Sequence, residues 1–372
     1  MFSKPLSLVL VYIVTVINIV ALSSPFLAAI VPFVHIENNF LVIENEIFQK
    51  IKFSFLLLCF IVSFLTLVYL VFDFLFGFSV RTSLKGCTRY EKIKDYDFLT
   101  DLFKQVKAKF GENNVKLYIK NSDEINAYAV SSLGSRAIVL TSGLINHYLN
   151  ECHDPKKFLY ALRSIIGHEM SHLVNKDFLP TFLIITNQKI TNSVSSLLFL
   201  IFSLAIRAVS MLPFGGRASA QMMRDTYSVI NFAVTFFNRF VVYNVYEFLR
   251  RTLSRSVEFR CDRQSAKAFG GKNMALALSM LGESGYFTIF STHPKTKSRM
   301  ERVENIKISD AIVKPQFLDS LSNYFSLMFL VVICLYFAKQ ARVDYFVRLY
   351  LQDHEILNRK ITTLWQLISR FF

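Results

Sequence analysis

His168-Glu169-Met170-Ser171-His172 combines two metal-binding side chains with an acid between them. On a helix, positions i and i+4 share a face, so the two imidazoles can take two tetrahedral positions on one Zn2+. Glu169 follows the first imidazole. There its carboxylate can reach a water on the metal and take its proton as that water attacks a peptide carbonyl. A pattern with three fixed positions also arises by chance on surface helices, so its context has to be read. Leu159, Leu162, Ile165, Ile166, Met170 and Leu173 recur at helical spacing and predict one long amphipathic helix, from about Phe158, that carries the motif.

A catalytic zinc of this kind needs a third protein ligand, often a glutamate, with water in the fourth place. The stretch Ser254-Arg255-Ser256-Val257-Glu258-Phe259-Arg260-Cys261-Asp262 carries Glu258 and Asp262 one helical turn apart. Glu258 can bind the metal, while Asp262 accepts the free ring N–H of a ligand histidine and fixes its tautomer. Spacing alone would favour two solvated acids on a charged helix.

The elements that must position these residues are unusually apolar. Of 372 residues, 53% are hydrophobic, 38 are Phe and only 19% are charged. A water-soluble domain of this length would be less apolar, so a membrane protein is expected. Uncharged or nearly uncharged runs at about 6–34, 53–72, 178–206, 226–249 and 320–338 are candidate crossings. Pro5 to Ile36 has no Asp, Glu, Lys or Arg, which is too long for the roughly 7–15-residue apolar core of a cleaved signal and predicts a retained anchor. Lys189 and Arg239 interrupt the third and fourth runs, and Pro213, Gly215 and Gly216 mark a turn between them.

The expected layout is a transmembrane hairpin over 1–80, a catalytic segment with the motif helix over 81–177, a second hairpin over 178–249, the rest of the catalytic domain over 250–315, and a membrane segment with an amphipathic tail over 316–372. Arg81, Lys85, Arg89, Lys92 and Lys94 follow the second run, which places the catalytic segment in the cytoplasm by the positive-inside rule. Five crossings would leave the basic tail on the opposite side, against the same rule. Leu357, Ile361, Leu364, Ile368 and Phe371 form one helical face that could lie on lipid or pair with a second copy of the chain. The formal net charge of +15 has its source in such loops, and no basic stripe coincides with a nucleic-acid-binding motif, so nucleic acid is not an expected partner. The five cysteines, an odd number without a CxxC pair, fit a reducing compartment.

Before the motif, Val115–Ile119 and Ala137–Leu140 read as strands, with Asn126-Ala127-Tyr128-Ala129 extended between them. Four blocks together resemble the HtpX-type membrane zinc metalloproteases, relatives of the CAAX prenyl endopeptidases. They are Asn126–Ala129 with the Ala137–Thr141 strand; His168 through Asp177, which matches HExxH-x-x-N-x-D; Ser254-Arg255 with Glu258-Phe259 and Asp262; and Phe290-Ser291-Thr292-His293-Pro294 with Arg299. The match covers most of residues 1–305.

This resemblance implies an α-helical integral membrane protein with an α+β zincin-like (gluzincin) catalytic domain, in a bacterial inner membrane and facing the cytoplasm. It implies one Zn2+ per chain on His168, His172 and Glu258, with Glu169 as general base. It also implies that Asn126, Ala127 and Tyr128 bind an extended polypeptide, and that His293 steadies the developing oxyanion. The expected substrates are misfolded or damaged membrane proteins, reached at the surface of the lipid bilayer. A narrow CAAX-type processing enzyme would be expected to have more crossings, and a zinc-stabilised scaffold would not need Glu169. Cys261 stands where the family usually has alanine and is expected to be a small packing residue.

Overall fold

The computed structural model describes residues 5–30, 34–37, 40–43, 45–132, 134–211, 216–237, 243–281, 294–350 and Gln366. The chain runs through α1 (Pro5–Ile30), a hairpin of β1 (Val34–Glu37) and β2 (Phe40–Ile43), then α2 (Asn45–Phe76) and α3 (Phe78–Ser83). Next come β3 (Cys87–Arg89), α4 (Leu99–Phe110), β4 (Lys116–Lys120), β5 (Ala127–Ser131), β6 (Arg136–Thr141), α5 (Ser142–Glu151) and α6 (Pro155–Val174). The remainder is helical: α7 (Phe178–Ser210), α8 (Gly216–Phe237), α9 (Tyr243–Phe269), α10 (Gly271–Met280), α11 (Thr296–Val303), α12 (Phe317–Gln340) and α13 (Val343–Tyr350).

Two interleaved units emerge. The first comprises Met1–Leu10, Val71–Phe182 and Glu247–Phe325; the second comprises Val11–Leu70, Leu183–Tyr246 and Ser326–Phe372. The first unit holds a four-stranded sheet in the order β3-β4-β6-β5. β4 and β6 are parallel, while β3 and β5 lie antiparallel to their neighbours. Leu117, Ile119, Ile138 and Leu140 pack with Leu102, Phe103 and Val106 of α4 and with Leu162, Ile166 and Met170 of α6. On the other side of the sheet Val139 meets Val80 and Val130. β6 is therefore buried on both faces, which is why its sequence is a continuous apolar run while β4 alternates. β5 ends the sheet and leaves one edge outside the ladder.

In the second unit, Leu22, Leu58 and Val62 are buried with Phe26, Phe55, Ile190, Val194 and Leu198 of α1, α2 and α7. Asn18 donates to Asn187, which donates to Thr66 Oγ1 at 3.4 Å, so the polar groups among these apolar helices pair with one another. Among the described residues, three helices are long and apolar enough to cross a membrane: Asn45–Phe76, Phe178–Ser210 and Phe317–Gln340. A shorter apolar helix covers Leu8–Ser23. The run expected at 226–249 is not among the three. Over its described span α8 carries Arg217, Arg224 and Asp225, and residues 238–242 of the expected run lie outside the described residues. The amphipathic tail face, Leu357, Ile361, Leu364, Ile368 and Phe371, lies outside the described residues.

Candidate metal centre

α6 starts where Asp154 accepts the Lys156 N–H at 2.9 Å and Pro155 takes the first helical position. Its motif residues His168, Glu169, Met170 and Ser171 are all buried. Gly167 lets α9 come close. A Cβ at this position would stand 2.7 Å from the Phe269 ring and 2.9 Å from Ser265 Oγ. Ser265 Oγ donates to Ser164 O at 2.6 Å, a second tie between the two helices.

This contact brings His168 and His172 of α6 against Glu258 of α9. The two Nε2 atoms are 3.2 Å apart, and Glu258 lies 3.5 Å from His168 Nε2 and 3.7 Å from His172 Nε2. Tetrahedral coordination with bonds of about 2.0–2.2 Å sets neighbouring donors about 3.3–3.5 Å apart, so the set fits one Zn2+. Both rings turn their Nδ1 away from this point. His168 Nδ1 is 2.8 Å from Asp262, and His172 Nδ1 is 2.9 Å from Asp177.

An arginine holds each of these carboxylates. Arg299 of α11 donates twice to the fully buried Asp262, at 2.7 Å and 2.7 Å, and reaches Glu258 at 3.1 Å. Arg260 of α9 donates to Asp177 and to Asp319. Each imidazole is thus backed by a carboxylate and each carboxylate by a guanidinium, an arrangement that fixes ring orientation and directs Nε2 to the metal position. Cys261 is buried with its Sγ 3.4 Å from His172 Nδ1.

The chain beyond α6 completes the second relay. Lys176 adopts a left-handed φ of 55°, and the Asp177 N–H donates to His172 O at 3.1 Å, which folds Asp177 back onto His172. Asn175 ties this turn to α9 by donating to Gln264 Oε1 at 2.7 Å; Ser171 donates to the same oxygen.

Charge follows the geometry. Burial lowers the pKa of His168, but Asp262 and Glu258 outweigh it and lift the value to about 10. His172 is likewise raised: burial opposes the charge, and Cys261 and Asp177 more than offset it. Burial raises Glu169, opposed by the histidines and by an N–H received from Ala129. Asp262 is lowered, because Arg299 and His168 overcome its burial.

Glu169 faces the same cleft as the metal donors, and Ala129 belongs to edge strand β5. The cleft is about 670 Å3, and Asn126, Ala127 and Tyr128 line it together with His168, Glu169, His172 and Glu258. The site residues read from the sequence therefore converge here, except His293, which lies outside the described residues. The sequence reading assigned no part to Arg260 or Asp319 and did not connect Asp177 to a ring. Asp177 could have been found from its fixed place five residues after His172 and Arg260 from its place between acids on the ligand helix; nothing in the local sequence marks Asp319.

The signature of Peptidase family M48 matches residues 98–307, more than half of the chain. The chain belongs to this family. Its segment contains both helices that bring donors to the centre, and the zinc metalloproteases of the M48 family use the metal that this donor set fits. The chain is 26% identical over 222 residues to Protease HtpX of Mannheimia succiniciproducens, covering 54% of this chain and 69% of that protein. It is 25% identical over 218 residues to a Protease HtpX homolog of Streptococcus uberis, covering 51% and 67%. A crystal structure of S. mikatae Ste24p aligns with a TM-score of 0.39 and 17% identity, covering 70% of this chain and 60% of that one. The resemblance drawn from the motif blocks is to this M48 group, and the chain is a metalloprotease of it.

Proposed function

We propose that this M48 protease is a membrane endopeptidase that holds one Zn2+ on His168, His172 and Glu258 and uses Glu169 as general base. The observation that carries the reading is the convergence of three donors within 4.8 Å of one another, His168 and Glu258 buried and His172 half-buried, both imidazoles being anchored through Nδ1. A zinc held by these three residues would supply Lewis acidity, lowering the pKa of water and polarising a carbonyl.

The chain's own groups do the rest. Asp262 and Asp177 keep both imidazoles in the tautomer that leaves Nε2 free to bind. Glu169, with its pKa raised by burial, takes the proton from the attacking water and returns it to the leaving amine. The Ala129 N–H meets that carboxylate, which sets the base beside β5, the strand that would align substrate. An extended polypeptide pairing with the β5 edge at Asn126, Ala127 and Tyr128 would lay a peptide carbonyl across the site, and such main-chain pairing demands little of side-chain identity. His293 would steady the oxyanion.

Long apolar helices on the same chain favour substrates met at the bilayer, namely misfolded or damaged membrane proteins. The basic residues after α2, Arg81 to Lys94, favour a cytoplasmic site in a bacterial inner membrane. The test is zinc content and casein cleavage by the detergent-purified wild type and Glu169→Gln. Zinc in both, with cleavage in the wild type only, is the expected result. Full cleavage by Glu169→Gln would remove the general base from the mechanism.

A further inference from the structure

His172 is braced from two directions. From its own helix, Asp177 folds back onto Nδ1. From α12, Asp319 reaches the other side of Arg260, the guanidinium that also holds Asp177. α12 begins after residue 307, beyond the segment shared with the family.

Arg260 is only 4% exposed and Asp319 only 3%. A guanidinium this deep must be compensated by anions and hydrogen bonds. It has one carboxylate on each side. Asp177 Oδ2 accepts both from Arg260 and from His172 Nδ1, so one oxygen divides its charge between the arginine and the imidazole. The more of the Arg260 charge is balanced elsewhere, the more of that oxygen remains for His172. Asp319 is the carboxylate that balances it.

The chain over 314–323 grips the end of α6, and α9 beside it, at further points. Gln316 N–H donates to Asn175 Oδ1 at 3.2 Å, Asn323 donates to Asn175 O at 3.1 Å, and Gln264 donates to Lys314 O at 3.3 Å. Asn175 is the residue at the end of α6 from which the turn that aims Asp177 departs, so Asn323 helps to hold that turn.

We infer that Asp319 is a positioning residue for the metal centre, acting on His172 through Arg260 and Asp177. This rests on the assignment of His168, His172 and Glu258 as zinc ligands. A carboxylate that contacts a ligand imidazole, as Asp177 does, typically changes metal affinity by about 10–100-fold, and Asp319, two links beyond Asp177, belongs at the low end, about tenfold. A buried ion pair that served only packing would leave zinc affinity unchanged once the protein had folded.

The experiment is zinc affinity by chelator competition on the full-length protein in detergent, with the Co2+ absorption spectrum of each variant recorded alongside. Asp319→Asn keeps the shape and removes the charge; Asp319→Glu keeps the charge. Asp319→Asn should bind zinc about tenfold more weakly, with a shifted Co2+ spectrum, and Asp319→Glu should recover most of the loss. In an Arg260→Gln background the Asp319→Asn change should have no further effect, because its route to His172 is already cut. The inference is overturned if Asp319→Asn binds zinc like the wild type, if Asp319→Glu loses as much as Asp319→Asn, or if the loss is the same with and without Arg260. Absence of zinc from the wild type would instead overturn the ligand assignment itself.

Discussion

Replacing Gly167 by alanine tests whether the α6–α9 contact sets the metal geometry. The added Cβ would stand 2.7 Å from Phe269 Cε2 and 2.9 Å from Ser265 Oγ, where carbon–carbon contacts normally settle at about 3.5–4.0 Å. Phe269 is 5% exposed and packed in the main core, so its ring cannot swing clear. The helices must separate by something under about 1 Å, or nearby side chains must strain, at about 1–3 kcal/mol. Alanine is favoured over glycine in a helix interior by about 1 kcal/mol, so the net loss of folding stability is only about 0–2 kcal/mol.

Zinc binding is more sensitive, because metal–ligand distances tolerate only about 0.2 Å of error. The metal-free protein can relax by letting α6 and α9 part, whereas the zinc-bound form must draw His168, His172 and Glu258 together again. If the strain falls on the bound state, zinc affinity drops by roughly 5- to 150-fold. Chelator competition measures the affinity, and thermal melts with excess chelator measure metal-free stability. Phe269→Leu in the Gly167→Ala background should restore part of the zinc affinity. A Gly167→Ala variant that melts earlier but binds zinc like the wild type would refute the argument, since the strain would then be equal in both states.

Two further substitutions probe the centre directly. Glu258→Ala should lose its zinc on purification, because two imidazoles alone hold the metal poorly; a full equivalent of zinc by metal analysis would point to another third ligand. Asp262→Asn should retain zinc but with about 10–100-fold lower affinity or activity, since His168 loses the carboxylate that fixes its Nδ1 proton and Arg299 loses its bidentate partner. An unchanged zinc affinity in that variant would separate Asp262 from the centre.

What the sequence determined by itself is local. Two histidines four apart on a helix whose apolar residues recur at helical spacing must share a face, so His168 and His172 were legible as a pair, with Glu169 beside them. Glu258 and Asp262 were legible as acids one helical turn apart, but spacing alone favoured two solvated side chains, and only the fold brings them against the histidines. Strand β4 showed in its alternation and β6 in its apolar run, and the long uncharged stretches showed membrane helices, because hydrophobic length is a property of composition. The edge position of β5 was not legible, since strand order depends on the parallel pairing of β4 with β6 across an intervening strand.

Tertiary structure alone decided which acid serves which ring. Asp262 goes to His168 and Asp177 to His172 because α6 and α9 meet at Gly167 and because the chain turns left-handed at Lys176. It alone brought Arg299 against Asp262, Arg260 against Asp177 and Asp319 against Arg260. Asp319 is 59 residues from Arg260 and 142 from Asp177 in the chain, and it opens a helix whose sequence reads only as a membrane segment. A buried charge announces nothing in its own neighbourhood; its partner is set by whichever element the fold packs against it.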